Sequence, residues 1–162
     1  MKIINVTVLC AGEEEYPGCG DLLEGCPGIS VVARQTGLPE TGTWIDLERS
    51  EVLLLDETAL KQEGIEAVRM LRDSYPQIKI LLVLDNGCEN NAMAAISWGI
   101  QGVIERSSVN LMLSKAVAAV YSGEAWLSRG LVHPIRDKLE FMEKEAFYMK
   151  RSLLPPGWDK LN

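Results

Sequence analysis

Apolar residues along the chain fall into short, dense runs separated by stretches with helical spacing. Residues 3–9 (IINVTVL) and 29–33 (ISVVA) are rich in β-branched side chains and read as strands. Residues 52–55 (VLLL) end at Asp56, and residues 78–84 (IKILLVL) end at Asp85. Short, nearly unbroken apolar runs of this kind predict strands buried on both faces, as in a parallel sheet. Residues 102–104 (GVI) predict a fifth, shorter strand. Between these runs the period changes. Leu60, Ile65, Val68, Met70 and Leu71 predict an amphipathic helix that stops before Pro76. Residues 92–98 predict a helix with Gly99 as its C-terminal cap, and residues 109–121 a helix with an Ala-rich face ended by Gly123. Pro17, Gly18, Gly20, Gly25, Pro27 and Gly28 leave room for only about a turn of helix at residues 21–24. Residues 36–43 read as a loop and 44–49 as a short helix.

The alternation predicts an α/β fold: a five-stranded, parallel, doubly wound sheet with helices on both faces. Ligand sites in such sheets lie at the carboxyl ends of the strands. That directs attention to residues 10–12, 56–58, 85–87 and 105–107. After Leu127 the pattern changes. Ile135, Leu139, Met142, Ala146 and Met149 recur at alternating steps of four and three, which predicts a helix over 134–151 with an apolar seam of about two heptads. A seam this short needs a burial partner, either its own domain or a second copy of the chain. The expected division is a domain over 2–128, a linker and C-terminal helix over 129–151, and a tail over 152–162.

Composition narrows the function. The 162 residues are 47% hydrophobic, enough for one domain with a substantial core. With 23 acidic and 16 basic side chains the net charge is −7, which disfavours a basic groove for nucleic acid. The helix over 134–151 is near neutral, so the acidity belongs to the preceding residues. No apolar run reaches the roughly 20 residues of a membrane span. The N-terminus lacks the apolar stretch of a secretory signal, so a cytoplasmic location is expected. A reducing compartment implies free thiols, and Cys10, Cys19, Cys26 and Cys88 lack the close pairing of a zinc site. Cys10, at the end of an apolar run, reads as a small core residue. The single histidine, His133, stands beside Pro134, far from any nucleophile-like turn, which argues against a His-dependent hydrolase. Gly18-Cys19-Gly20 lacks the third glycine of a dinucleotide loop. Asp56 and Asp85 lack the aromatic cleft that would make them a glycosidase pair. No enzymatic activity, metal or cofactor is expected.

Three stretches resemble the receiver domain of bacterial two-component response regulators, most closely the branch that carries a C-terminal helix-turn-helix. The first is residues 51–56 (EVLLLD), where the family has its phosphoryl-accepting aspartate after a buried third strand. The second is residues 64–72 (GIEAVRMLR) with 75–84 (YPQIKILLVL), similar to the family's third helix and fourth strand. The third runs from 94–99 (AAISWG) through 102–104 to 116–120 (AVAAV) and 122–128 (SGEAWLS), similar to the fourth helix, fifth strand, fifth helix and exit segment. The resemblance covers roughly residues 2–128. It implies a flavodoxin-like receiver fold with strand order 2-1-3-4-5 and a role in signal transduction or transcription regulation. It places Asp56 at the phospho-acceptor position. It also implies that the face of the helices over 92–98 and 109–121, near Trp98, Tyr121 and Trp126, binds partners.

The departures from the family concentrate at the pocket. Where the family has a metal-binding acidic pair after the first strand, this chain has Cys10, Ala11 and Gly12, without a side-chain oxygen. Glu13, Glu14 and Glu15 lie close by in sequence and read as a solvated acidic run. Where the family has Ser or Thr after the fourth strand, this chain has Asp85; where the family has Lys after the fifth, it has Arg106. Ionised aspartate accepts but cannot donate, and it puts a negative charge beside an incoming phosphoryl group. At ~4 Å and an effective dielectric near 20 such a like-charge pair costs roughly 4 kcal/mol. Arginine offers a planar fork that suits carboxylates. Asp56, Asp85 and Arg106 are therefore expected to form an ion cluster in place of phosphate.

Three functions remain. The first is an atypical receiver acting through protein–protein contacts without conventional phosphorylation. The second is a phosphorylatable receiver using Asp56, the only reading that involves Mg²⁺. The third is a small-ligand sensor with its pocket near residues 10–12. The expected partner is a protein or a second copy, through the helices over 92–98 and 109–121 or the helix over 134–151. Neither a membrane nor nucleic acid is expected as a partner of this chain alone, because the eleven residues after Arg151 cannot hold two more helices.

Overall fold

Successive residues of the central strands go to opposite sides of one sheet, and both sides are buried. In the strand Val52–Asp56 (β3), Leu53 and Leu55 enter one core and Val52 and Leu54 the other. In Lys79–Leu84 (β4), Ile80, Leu82 and Leu84 enter the first core and Leu81 and Val83 the second. That two-sided burial is why these runs read as unbroken apolar sequence. The computed structural model describes residues 2–10, 18–36, 49–60 and 64–152, with side chains as far as residue 146.

The remaining strands are Ile4–Cys10 (β1), Ile29–Thr36 (β2), Gly102–Glu105 (β5) and Trp126–Leu127 (β6). The sheet order is β2-β1-β3-β4-β5-β6, and every neighbouring pair is parallel. The fold is thus the expected α/β receiver order with one strand added at the edge. A two-residue strand carries no periodic signal, so its pairing comes from the chain passing alongside β5, where Trp126 N–H donates to Gln101 C=O and Ser128 N–H to Val103 C=O.

The helices are Cys19–Glu24 (α1), Glu66–Ser74 (α2), Glu89–Ser97 (α3), Val109–Tyr121 (α4) and Arg129–Ser152 (α5). One core lies between the sheet and α2, α3 and the start of α5; the other lies under α1 and α4. The helix over 109–121 has the bounds its spacing predicts. Gly99 follows α3 as expected, donating to Ile96 C=O at 3.0 Å.

Several boundaries differ from the sequence reading. The helix expected to include Leu60 begins only at Glu66, because Gly64 at φ +61° interrupts any helical path. Met70 is 68% exposed: Ala67, Val68 and Leu71 form the buried stripe, and Met70 lies outside it. Cys10 is half-buried rather than a core residue, since it ends β1 at the rim of the sheet. The helix expected from residue 134 begins at Arg129, so residues 129–133 are its first turns rather than a linker. Pro134 sits inside it and costs the bond to the Gly130 carbonyl. The expectations for residues 37–48 and for Ala11, Gly12, Glu13, Glu14 and Glu15 lie outside the described residues.

Candidate functional site: an arginine bridge across three strand ends

Parallel strands deliver their carboxyl ends to one edge of the sheet, so the residues that close β3, β4 and β5 meet there. Asp56 is the last residue of β3, Asp85 follows β4, and Arg106 follows β5. Neighbouring strands stand about 4.8 Å apart, so Arg106 must reach across β4, a span of about 10 Å between backbones. Only a long side chain makes that reach. Nη1 of Arg106 donates to Asp56 Oδ2 at 2.9 Å, and Nη2 donates to Asp56 Oδ1 at 2.7 Å. Its Nε donates to Asp85 Oδ1 at 2.7 Å. The guanidinium thus forks onto one carboxylate and turns its third edge to another, a geometry lysine cannot reproduce.

Asp56 is 7% exposed and caps the 3-10 turn Glu57–Ala59. Thr58 N–H donates to Asp56 Oδ1 at 3.0 Å, and Thr58 Oγ1 donates to the same oxygen at 2.9 Å. Both oxygens are therefore engaged. Burial alone pushes the Asp56 carboxyl up; the Arg106 guanidinium and the two Thr58 donors outweigh it and hold the group below the ordinary carboxylate range. Bonding to Asp56 pushes Arg106 further up, against its own partial burial. The cluster is sheltered at the Asp56 end and open to water at Asp85, whose side chain is mostly exposed.

Glu57, Thr58 and Glu105 lie at the strand ends that the sequence reading singled out, but it assigned them no role. Glu57 Oε1 accepts the Asp85 N–H at 2.7 Å, which brings a third carboxylate to the edge of the cluster. Burial and the neighbouring Asp85 raise the Glu57 carboxyl above its usual range. A raised acid opposes folding once it ionises. Glu57→Gln is therefore expected to stabilise the domain at pH 7 by a few tenths of a kcal/mol, the small size following from solvent screening. The gain shrinks as pH falls through the raised value, which urea denaturation at several pH values would follow.

Glu105 is the residue before Arg106 and points the other way. It is buried, its Oε2 accepts the Gly87 N–H at 3.3 Å, and its own N–H donates to Ser128 Oγ at 2.8 Å. A β-carbon on Gly130 would collide with its Oε1. The start of α5 is thus fitted around the end of β5. The signal for Glu105 was an acidic residue at a position the strand pattern marks as buried.

The thiols near this edge are free. Burial, with Asp56 next in effect, pushes the Cys19 thiol up to about 12, and burial beside Glu57 and Asp85 also raises Cys88. Both shifts favour the protonated, unreactive form. Among the described residues no group of three His, Cys, Asp or Glu side chains is arranged to hold a metal ion, and no helix is long and apolar enough to cross a membrane. Trp98, Tyr121 and Trp126 are half-buried and packed against the two cores. Tyr121 also lies between Lys2 and Lys79, whose ammonium groups stand 5.2 and 5.6 Å from its ring.

The sheet order, with an acidic residue closing β3, is that of a receiver-like α/β fold. In sequence the chain is similar to the response regulator UvrY of Escherichia coli (strain K12), at 25% identity over 127 residues covering 78% of this chain and 58% of UvrY. UvrY of Shigella flexneri matches to the same extent. The chain spans 58% of the length of these curated relatives. No protein-family model matches it. Among solved structures, the LuxR-family two-component response regulator from Aurantimonas sp. SI85-9A1 superposes with a TM-score of 0.72 at 23% identity, covering 85% of this chain and 98% of that one. The RcsB response regulator of Salmonella typhimurium gives a TM-score of 0.72 at 19% identity, over 84% of this chain and 68% of RcsB. The isolated RcsB receiver domain with the phosphomimetic BeF3⁻ gives 0.69 at 19% identity, over 82% and 98%. These superpositions establish the fold.

Proposed function

We propose that this chain is an atypical receiver that signals through protein–protein contacts, its phospho-acceptor position held by an internal cation instead of being switched by phosphate. The observation that carries this reading is the Arg106 fork on both oxygens of Asp56, with Asp85 on the third edge. A phosphoryl group arriving at Asp56 would have to displace that fork and settle beside Asp85 and Glu57. The donor set is also a poor match for Mg²⁺. A hard cation takes oxygen ligands, whereas both Asp56 oxygens are engaged and β1 ends in the soft thiol of Cys10. The role is one of cytoplasmic signalling rather than catalysis, with a protein as partner.

Titration of the chain with Mg²⁺ and beryllofluoride, followed by amide NMR, tests this. The expected result is no localised shift around Asp56, Asp85 and Arg106. Shifts at those residues that vanish in Asp56→Asn would instead establish a working phosphorylation pocket. Saturable binding of a neutral or basic metabolite at the same strand ends, without Mg²⁺, would favour a ligand sensor.

A further inference from the structure

Helix α5 outruns the domain it starts in. Its 24 residues extend about 36 Å, whereas the nine residues of α3 beside it extend about 14 Å. Leu131 and Ile135 are buried in the first core, and Lys138 Nζ donates to Asn90 Oδ1 on α3. Beyond that contact every side chain from 139 to 146 is exposed. Where the two helices part, they frame an open, mainly apolar groove of about 380 Å³. Met93 of α3 and Phe141 and Met142 of α5 line it, together with Asn90, Asp137 and Lys138. Phe141 and Met142 are 62% and 55% exposed. Contiguous bare apolar surface of this kind marks a place that another group covers.

We infer that this chain's own residues 158–161 cover the groove, folded back along α5 as a strap with the Trp158 ring on Phe141, Met142 and Met93. The strap lies outside the described residues, and its sequence and reach carry the assignment. Pro155 disfavours helical backbone at Leu154, and neither Pro155 nor Pro156 has an N–H to donate, so α5 cannot run on through them. Gly157, without a side chain, lets the segment lie close to the helix. Met142 lies ten residues before Ser152, about 15 Å back along the helix. The six residues from Ser152 to Trp158 span up to about 20 Å when extended, enough to turn at the end of α5 and return to the groove. An indole buries about 150–250 Å² and meets methionine sulfur favourably. Asp159 and Lys160 follow it, and whichever way the segment lies each finds an opposite charge in Lys138 or Asp137. A segment tethered this close stands at an effective concentration in the millimolar range, which favours it over a free partner. The strap takes up the Met93 face of α3, so it competes with any protein that would dock there. It does not depend on the state of Asp56.

Methyl NMR of the full chain, labelled at its methionines, tests the inference. The ring current of Trp158 should displace the Met93 and Met142 methyl signals, and Trp158→Ala should abolish both displacements. Met70 on α2 and Met112 on α4 should not move, which shows that the variant is folded. Phe141→Asp, at an exposed position, should release the strap in the same way and bring the Trp158 indole into water. Methyls of Met93 and Met142 that are indifferent to Trp158→Ala overturn the inference. Unlabelled wild-type chain added to labelled Trp158→Ala should leave both methyls where they are. Their return to the wild-type positions would also overturn it, since a second copy would then supply the segment.

Discussion

Replacing Arg106 by alanine is expected to lower the stability of the domain by about 3 kcal/mol at pH 7, the low end for breaking a buried ion pair because part of the cluster is wet. Asp56 is nearly fully buried, and without the guanidinium its charge would face Asp85 and Glu57 with only the Thr58 donors in compensation. The pH dependence follows from the direction of the Asp56 shift. The carboxyl is held below its ordinary range in the folded protein, so the pairing contributes fully above the unfolded value of about 4 and is lost as pH falls through the lower, folded value. In Arg106→Ala burial dominates and the group moves up, so the variant regains stability on acidification while the wild type loses it. Urea midpoints at pH 7 and pH 4 would show the gap narrowing. Adding Asp56→Asn to Arg106→Ala should recover part of the loss, because it removes the stranded charge. A gap that stays constant across that pH range would mean that Arg106 supports the fold by packing and not by charge.

Gly102→Ala is expected to cost about 2 kcal/mol through overpacking. β5 passes so close to its surroundings that a β-carbon at residue 102 would stand 2.7 Å from Val120 Cγ2, 2.8 Å from Leu81 Cδ1 and 3.3 Å from Trp126 Cβ. Val120 and Leu81 are fully buried and have no room to retreat, and Trp126 belongs to the added edge strand that pairs with Gly102. The loss should appear as a lower urea midpoint, with weakened amide protection at Trp126 and Leu127, the residues pushed outward. Unchanged protection of β6 would show that α4 absorbs the added carbon.

Much of the fold was legible because it depends on local pattern. Runs such as VLLL and ILLVL are too short for buried helices and read as strands buried on two faces, and the alternation of those strands with amphipathic segments leaves few topologies besides a doubly wound parallel sheet. The same logic places Asp56, Asp85 and Arg106 at one edge, since the carboxyl ends of parallel strands are neighbours whatever the loops do. What the sequence by itself determined was therefore the layering of the chain and which residues share that edge. The tertiary structure decided how those residues are used. Whether Arg106 turns to Asp56 or to water depends on the distance across β4 and on the competing charges of Asp85 and Glu57, and no sequence pattern encodes a direction of that kind. The same holds for Glu105, whose burial depends on α5 starting at Arg129 and passing Gly130 over the end of β5. It holds again for the seam of α5, one continuous stripe in sequence, of which Ile135 is covered and Leu139 and Met142 are bare. Periodicity is a property of one helix, whereas burial depends on where its neighbours end, and α3 ends well short of α5.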